Sequence, residues 1–514
     1  MGLYADAEEV LAVADHCGDA VVRRADGVCP EFGFGAVHLH NLLMRFTDSD
    51  YEPLKPTRKL ARAEADVLDE RWLPVPERAV EATPAKESET VPKAEKVRPP
   101  LVIWSHSHAH FFTFVLLVLY TVLAYFRPYE LSPAFEWTRQ LPYWVAVAML
   151  VIFIPSQFGA EGNLTARPKE VNLALLLGLI AIISIPQAID PALSWEIFYT
   201  LYVKTLIVFI VMVNALRTER RLRTMILLAL ITGGIMSLTA LLDYSAGHTG
   251  NYEERANVGI SNMFGEPNSL ALHLVTMIPL ALVLAVGSKN PLKKLLYLGG
   301  SIAMIAGVFA TFSRGGFLGL CAAGVLLAWK LGRRNRFAVV GIVVIAVVAA
   351  LFLAPGGYGD RVGSIFNPMG EASATARRAL LTRSVWVALT SPFLGVGIGN
   401  LRVVLIHDQV SHNAYTQIAG DMGLIALTLY VMLLVVPFRR LAAIERETLK
   451  EEHHTRYYYL AVGLQSSLVG YMVGSFFLSV AYDWFGYFLV AYAVSFAALY
   501  YQHGTGFSAE GARI

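Results

Sequence analysis

Residues 411–437 read SHNAYTQIAGDMGLIALTLYVMLLVVP. The stretch changes character once. Polar side chains recur up to Asp421, and from Met422 to Pro437 no residue is charged. Residues 421–437 are long enough to cross a hydrocarbon core of about 30 Å as a helix. The polar tract with His412, Asn413 and Asp421 then stands at the mouth of that helix.

The pattern repeats along the chain. Of its 514 residues 55% are hydrophobic and 16% charged, against roughly 25% charged in a soluble domain. Apolar runs predict twelve spans, near 111–126, 141–155, 171–189, 197–215, 223–242, 268–287, 294–312, 316–330, 337–354, 421–437, 457–477 and 484–500. The fold class is therefore an all-α polytopic membrane protein, with a long loop at 355–420 between spans nine and ten. Residues 1–82 form a polar N-terminal region to which the sequence assigns no role. Residues 83–104, rich in Pro, Lys and Glu, read as a linker. The membrane domain spans 105–503, and 504–514 is a tail. No cleavable leader is expected, because the first 40 residues lack a basic stretch followed by an apolar core.

Basic residues orient the spans. RTERRLR (217–223), KNPLKK (289–294), KLGRRNR (330–336) and RRLAAIERETLKEEHHTR (439–456) fall after every second span. These loops face the cytoplasm, both termini lie there, and 243–267 and 355–420 face the opposite side, the periplasm of a Gram-negative cell. A net charge of +2 implies no nucleic-acid partner. Cys17, Cys29 and Cys321 have no companions at zinc spacing and read as free thiols. His106, His108 and His110 alternate in WSHSHAHFF (104–112), beside an entering span, which suits the headgroup level better than a metal.

The unexplained polar residues gather on the outer side. Arg255 precedes GISNMFGEPNSLA (259–271), which contains Asn268 and suits a tightly turned entry to the membrane. Alone, Arg255 also reads as a snorkelling interfacial arginine. Arg314 sits in TFSRGGFLGL (311–320), between two apolar runs joined by almost nothing, so it is anchored in headgroups or points into a cavity. Arg377, Arg378 and Arg383 precede SPFLGVGIGN (391–400), whose glycines shape a turn. His412 carries the side chain best suited to take a proton near neutral pH, with Asp421 or another carboxylate to orient it; alone it also reads as a surface histidine at a helix cap. Arginine forks bind phosphate oxygens, and fixed cations stabilise a departing diphosphate. The set suits transfer from a lipid-linked diphosphate donor.

In order, RANVGISNMFGEPNSLA, FSRGG, an arginine upstream of SPFLGVGIGN, and HNAYTQIAGDMGLIAL resemble the O-antigen ligase and O-antigen polymerase superfamily of bacterial membrane glycosyltransferases, over roughly residues 110–500. The resemblance implies a fold of the GT-C type with a dozen or so helices in the inner membrane and a site facing the periplasm. It implies an undecaprenyl-diphosphate-linked glycan as donor, and a lipid A core, glycan or protein hydroxyl as acceptor. The transfer would be inverting, independent of metal and without a cofactor. Carried over by motif, His412 is the general base, Arg255, Arg314 and Arg378 hold the diphosphate, and Asn268, Asn413, Tyr415 and Asp421 support them. Arg377 and Arg383 compete with Arg378. Where the family often has Glu at the last motif, this chain has Asp421. A polymerase extending a lipid-linked glycan fits the same motifs. A flippase of such lipids fits arginines facing a cavity, and an assembly subunit would tolerate loss of His412.

Overall fold

A computed structural model of the chain describes residues 104–131, 133–246, 266–337, 339–341, 344, 372–405, 409–449 and 455–510. Arg255, Cys17, Cys29 and the N-terminal region lie outside them. Among the described residues the fold is all helical, with no strand, and ten helices are long and apolar enough to cross a membrane. In chain order the main helices are α1 (Phe111–Phe126), α2 (Leu141–Glu161), α3 (Lys169–Ser184), α4 (Pro191–Ala215), α5 (Glu219–Ser245) and α6 (Pro267–Gly287). They continue as α7 (Pro291–Ala310), α8 (Arg314–Gly332), α9 (Ala372–Thr390), α10 (Ala414–Thr448), α11 (Thr455–Gly474) and α12 (Trp484–Glu510).

Two expected spans fare differently from the rest. The third is helical but has only 16 residues, because Pro186 disfavours helix beyond Ile185 and the turn that follows is tied to the loop after α9. Most of the ninth, 337–354, lies outside the described residues.

The helices alternate in direction, so the bundle has two ends. At one end the α1 entry, α2 exit and α4–α5 turn meet around Arg217, which pairs with Glu161 and donates to Gln157. Arg221 binds the carbonyls of Ala109 and His108. These bonds hold the WSHSHAHFF segment by its backbone, and His110 Nε2 meets Gln157 Oε1 at 2.9 Å. Near the same end Glu445 of α10 joins Lys330 and Arg333 of α8.

Lipid tails give no hydrophobic drive between helices, so close packing must hold the core. The α8–α11 contact supplies it through Gly315 and Gly319 facing Gly470 and Gly474. A Cβ on Gly319 would sit 3.0 Å from the Gly470 carbonyl oxygen. The helix backbones touch where side chains would hold them apart. α6 and α12 are buried over most of their length, whereas α1 and α2 expose most of theirs at the periphery.

Candidate functional site

The opposite end of the bundle collects the first turns of α6, α8, α10 and α12. A Cβ on Gly316 of α8 would lie 2.6 Å from Ala271 of α6, and one on Gly315 the same distance from Phe477 after α11. Ser411 and Ser479 hydroxyls meet at 3.0 Å, and Ala481 N–H donates to Gln417 of α10. Tyr415 O–H donates to the Met472 carbonyl at 2.8 Å. Arg314, His412 and the α11–α12 turn are thereby drawn to one region.

Local backbone geometry presents the two candidate residues in the same way. Phe312 (φ 49) and His412 (φ 51) occupy the left-handed region, unusual for bulky residues. Each precedes an N-cap residue. Ser313 accepts from Gly316 N–H, and Asn413 accepts from Tyr415 and Thr416 N–H. Arg314 is then the first residue of its helix, half-buried, and His412 stands just outside its own. Asn413 supports the site as the cap of α10.

Two charges reach the His412 imidazole. Burial lowers its pKa first, the Arg377 guanidinium lowers it further, and the Glu266 carboxylate opposes them. The ring is therefore neutral at pH 7. Glu266 is itself held, with Asn268 Nδ2 donating to one oxygen at 3.1 Å and Ser269 O–H to the other at 3.3 Å. Asn268 thus enters the site by fixing Glu266. Beyond it lies Asp483, in the α11–α12 turn, whose pKa is pushed up to about 7 by burial and by Glu266.

Of the three loop arginines, Arg377 is the one whose charge His412 feels. Arg378 is exposed, and Arg383 is exposed and stacks over Trp386 at 4.3 Å. Asp421 does not reach for the imidazole. Its Oδ1 accepts the Leu401 N–H at 2.7 Å and its Oδ2 the Tyr482 O–H at 2.8 Å. It ties the loop before His412 to the α11–α12 turn.

That loop explains GVGIGN. α10 kinks at Gly423 (φ 87), which frees backbone groups in the helix. Val396 and Gly397 N–H donate to the Gly420 and Asp421 carbonyls at 2.9 Å, and Leu424 N–H donates to the Pro392 carbonyl at 2.7 Å. A Cβ on Gly423 would lie 2.4 Å from the Phe393 oxygen. The loop also grips the α3–α4 turn, where Asn400 Oδ1 accepts the Asp190 N–H and Asn400 Nδ2 donates to Ser194. A cavity of about 110 Å³ opens beneath it, lined by Arg402, Ser411, Gln417, Asp421, Ser479 and Tyr482 among others.

The sequence motifs contained Glu266 (in FGEPNS) and the loop contained Asp483, but neither stood out. Glu266 reads as part of a turn before Pro267, and Asp483 as a single acid in the short loop before the last span. Among the described residues no group of three His, Cys, Asp or Glu side chains is arranged to hold a metal ion.

Residues 299–431 match the family model described as O-antigen ligase. The match runs from α7 into α10 and takes in Arg314, Arg377, His412 and Asp421; Glu266, Asn268 and Asp483 fall outside it. No curated protein matches the chain.

Proposed function

We propose that this chain, which belongs to the O-antigen ligase superfamily by its domain at residues 299–431, transfers a glycan from a polyprenyl-diphosphate donor to an acceptor hydroxyl. The observation that carries the reading is the neutral, half-buried His412 imidazole under the joint influence of Arg377 and Glu266, at the bundle end where α8 begins with Arg314. His412 removes the acceptor hydroxyl proton as that oxygen attacks the anomeric carbon from the face opposite the diphosphate. The new C–O bond forms, the bond to the diphosphate oxygen breaks, and the anomeric configuration inverts. The electron pair leaves with the diphosphate and the proton stays on the imidazole.

Arg314 and Arg377 face the growing negative charge, joined by the N-termini of α6, α8 and α12, whose dipoles favour anions. Arg377 takes the part that spacing alone gave to Arg378, because it is the loop arginine whose charge acts on His412. Glu266 stabilises the imidazolium as it forms. Arg255 completes the diphosphate site in this reading by its motif. The site faces the periplasm of the inner membrane, where the acceptor arrives from water and the donor through lipid.

The test uses the purified chain with a lipid-diphosphate-linked glycan and candidate acceptors. Polyprenyl diphosphate is released only when an acceptor is present. His412→Ala lowers the rate by about 10²–10⁴-fold and Arg314→Ala by about 10²–10³-fold, at unchanged expression and melting temperature. Movement of the donor across a vesicle bilayer with no release in any arm would replace transfer with transport.

A further inference from the structure

A second cavity lies away from His412. It is a groove of about 250 Å³ between α1, α4 and α12. Its lining falls in tiers along the helices. Arg127, Thr200 and Trp484 stand nearest the end that carries His412. Lys204 and Phe488 come about one helical turn deeper, and Val208 a further turn down α4.

Lys204 is the anomaly. It is residue 14 of a 25-residue span by position, deeper than Trp195 and Tyr199, which are exposed on the same helix as an interfacial aromatic pair would be. An ionisable residue at such depth is costly unless something answers its charge. Lys204 is itself exposed at the groove and makes no ion pair or hydrogen bond among the described residues. The other cation of the lining, Arg127, pairs with Glu130 at 3.0 Å. Just before Lys204 the helix widens into a π-helical segment, Phe198–Tyr202, a local device found often at functional sites. Thr200, Leu201 and Lys204 line the groove together.

We infer that this groove binds the phosphate group of a long-chain anionic lipid, with the phosphate between Arg127 and Lys204 and the first carbons of the chain against Val208, Phe488 and Trp484. Cations in a pocket between spans, above an apolar floor, match that amphiphile and fit a free phosphate poorly. The site is separate from the arginines around His412 and does not depend on the transfer reading. Leu201 forms a wall of both this groove and the smaller cavity beneath Ser411, so an occupant lies one side chain from the candidate site.

Two sources share the chemistry, a bilayer phospholipid and an isoprenyl phosphate. The full chain is released from phosphatidylcholine nanodiscs containing either phosphatidylglycerol or undecaprenyl phosphate, and retained lipid is counted by native mass spectrometry. Wild type retains one anionic lipid that Lys204→Gln retains at least fivefold less often. Val208→Trp, which fills the groove without altering charge, gives the same loss. Lys293→Gln, an exposed lysine at the opposite end, does not. Dependence on Lys204 for phosphatidylglycerol assigns the groove to a structural phospholipid. Dependence for undecaprenyl phosphate alone assigns it to the isoprenoid. Retention of both lipids unchanged in the two groove variants overturns the site.

Discussion

In the proposed transfer His412 is the base, and the three influences on its pKa do not cancel. Burial and Arg377 outweigh Glu266, so the protonated form is disfavoured relative to a free imidazole, whose pKa is near 6.5. Activity that needs the neutral ring should fall only on the acid side, below pH 6.5. Removing the cation in Arg377→Gln relieves repulsion of the imidazolium, raises the pKa and moves the acid limb of kcat/KM to higher pH. Removing the anion in Glu266→Gln does the reverse and moves the limb lower. A profile measured for wild type and both variants checks the signs, and shifts in the same direction would break the assignment. The motif made His412 legible in the sequence, because a His-Asn pair before an apolar helix is a local pattern. Glu266 was not legible as its partner, since the two are far apart in sequence and meet only when α6 and α10 begin at the same end of the bundle. Asp421 misled for the complementary reason. It stands two turns from His412 in sequence, yet its oxygens are already taken by Leu401 and Tyr482. Asp421→Asn should therefore cost stability of about 1–3 kcal/mol, as a buried hydrogen-bonded group loses its fit, seen as a lower melting temperature with the pH limb of His412 unmoved.

At the scale of elements, helix starts and close approaches carry the information. Asn413 caps α10 through two backbone N–H groups, so Asn413→Ala should destabilise by about 1 kcal/mol and Asn413→Asp, which keeps the acceptor, by less. Thermal unfolding in detergent separates the two. The kink at Gly423 is a stronger constraint. Alanine there meets a disfavoured positive φ and the Phe393 carbonyl at once, so Gly423→Ala should detach the 391–400 loop and reduce activity together with stability. The spans were readable because hydrocarbon demands long apolar runs. The end of α3 had one local signal, Pro186 directly after Ile185, and the bonds from Asn400 and Val396 to Asp190 and Ile189 then fix the turn.

The two ends of the whole molecule differ in how their charges are answered. At the end with Arg217, Glu161, Lys330 and Glu445, arginine and lysine meet carboxylates in buried pairs that tie helices together. At the other end Arg377 and Glu266 act on the His412 imidazole in opposite senses, and burial pushes Asp483 up to about 7. The basic loops make the end with Arg217 the expected cytoplasmic one, and this has a testable consequence. In a chain whose Cys17, Cys29 and Cys321 are alanine, Ala379→Cys on exposed α9 should react with a membrane-impermeant maleimide in right-side-out vesicles. Lys293→Cys at the start of α7 should react only after permeabilisation. The reverse pattern would place His412 on the cytoplasmic side, where an acceptor from the outer aqueous space could not reach it, and would require an acceptor made and delivered inside the cell.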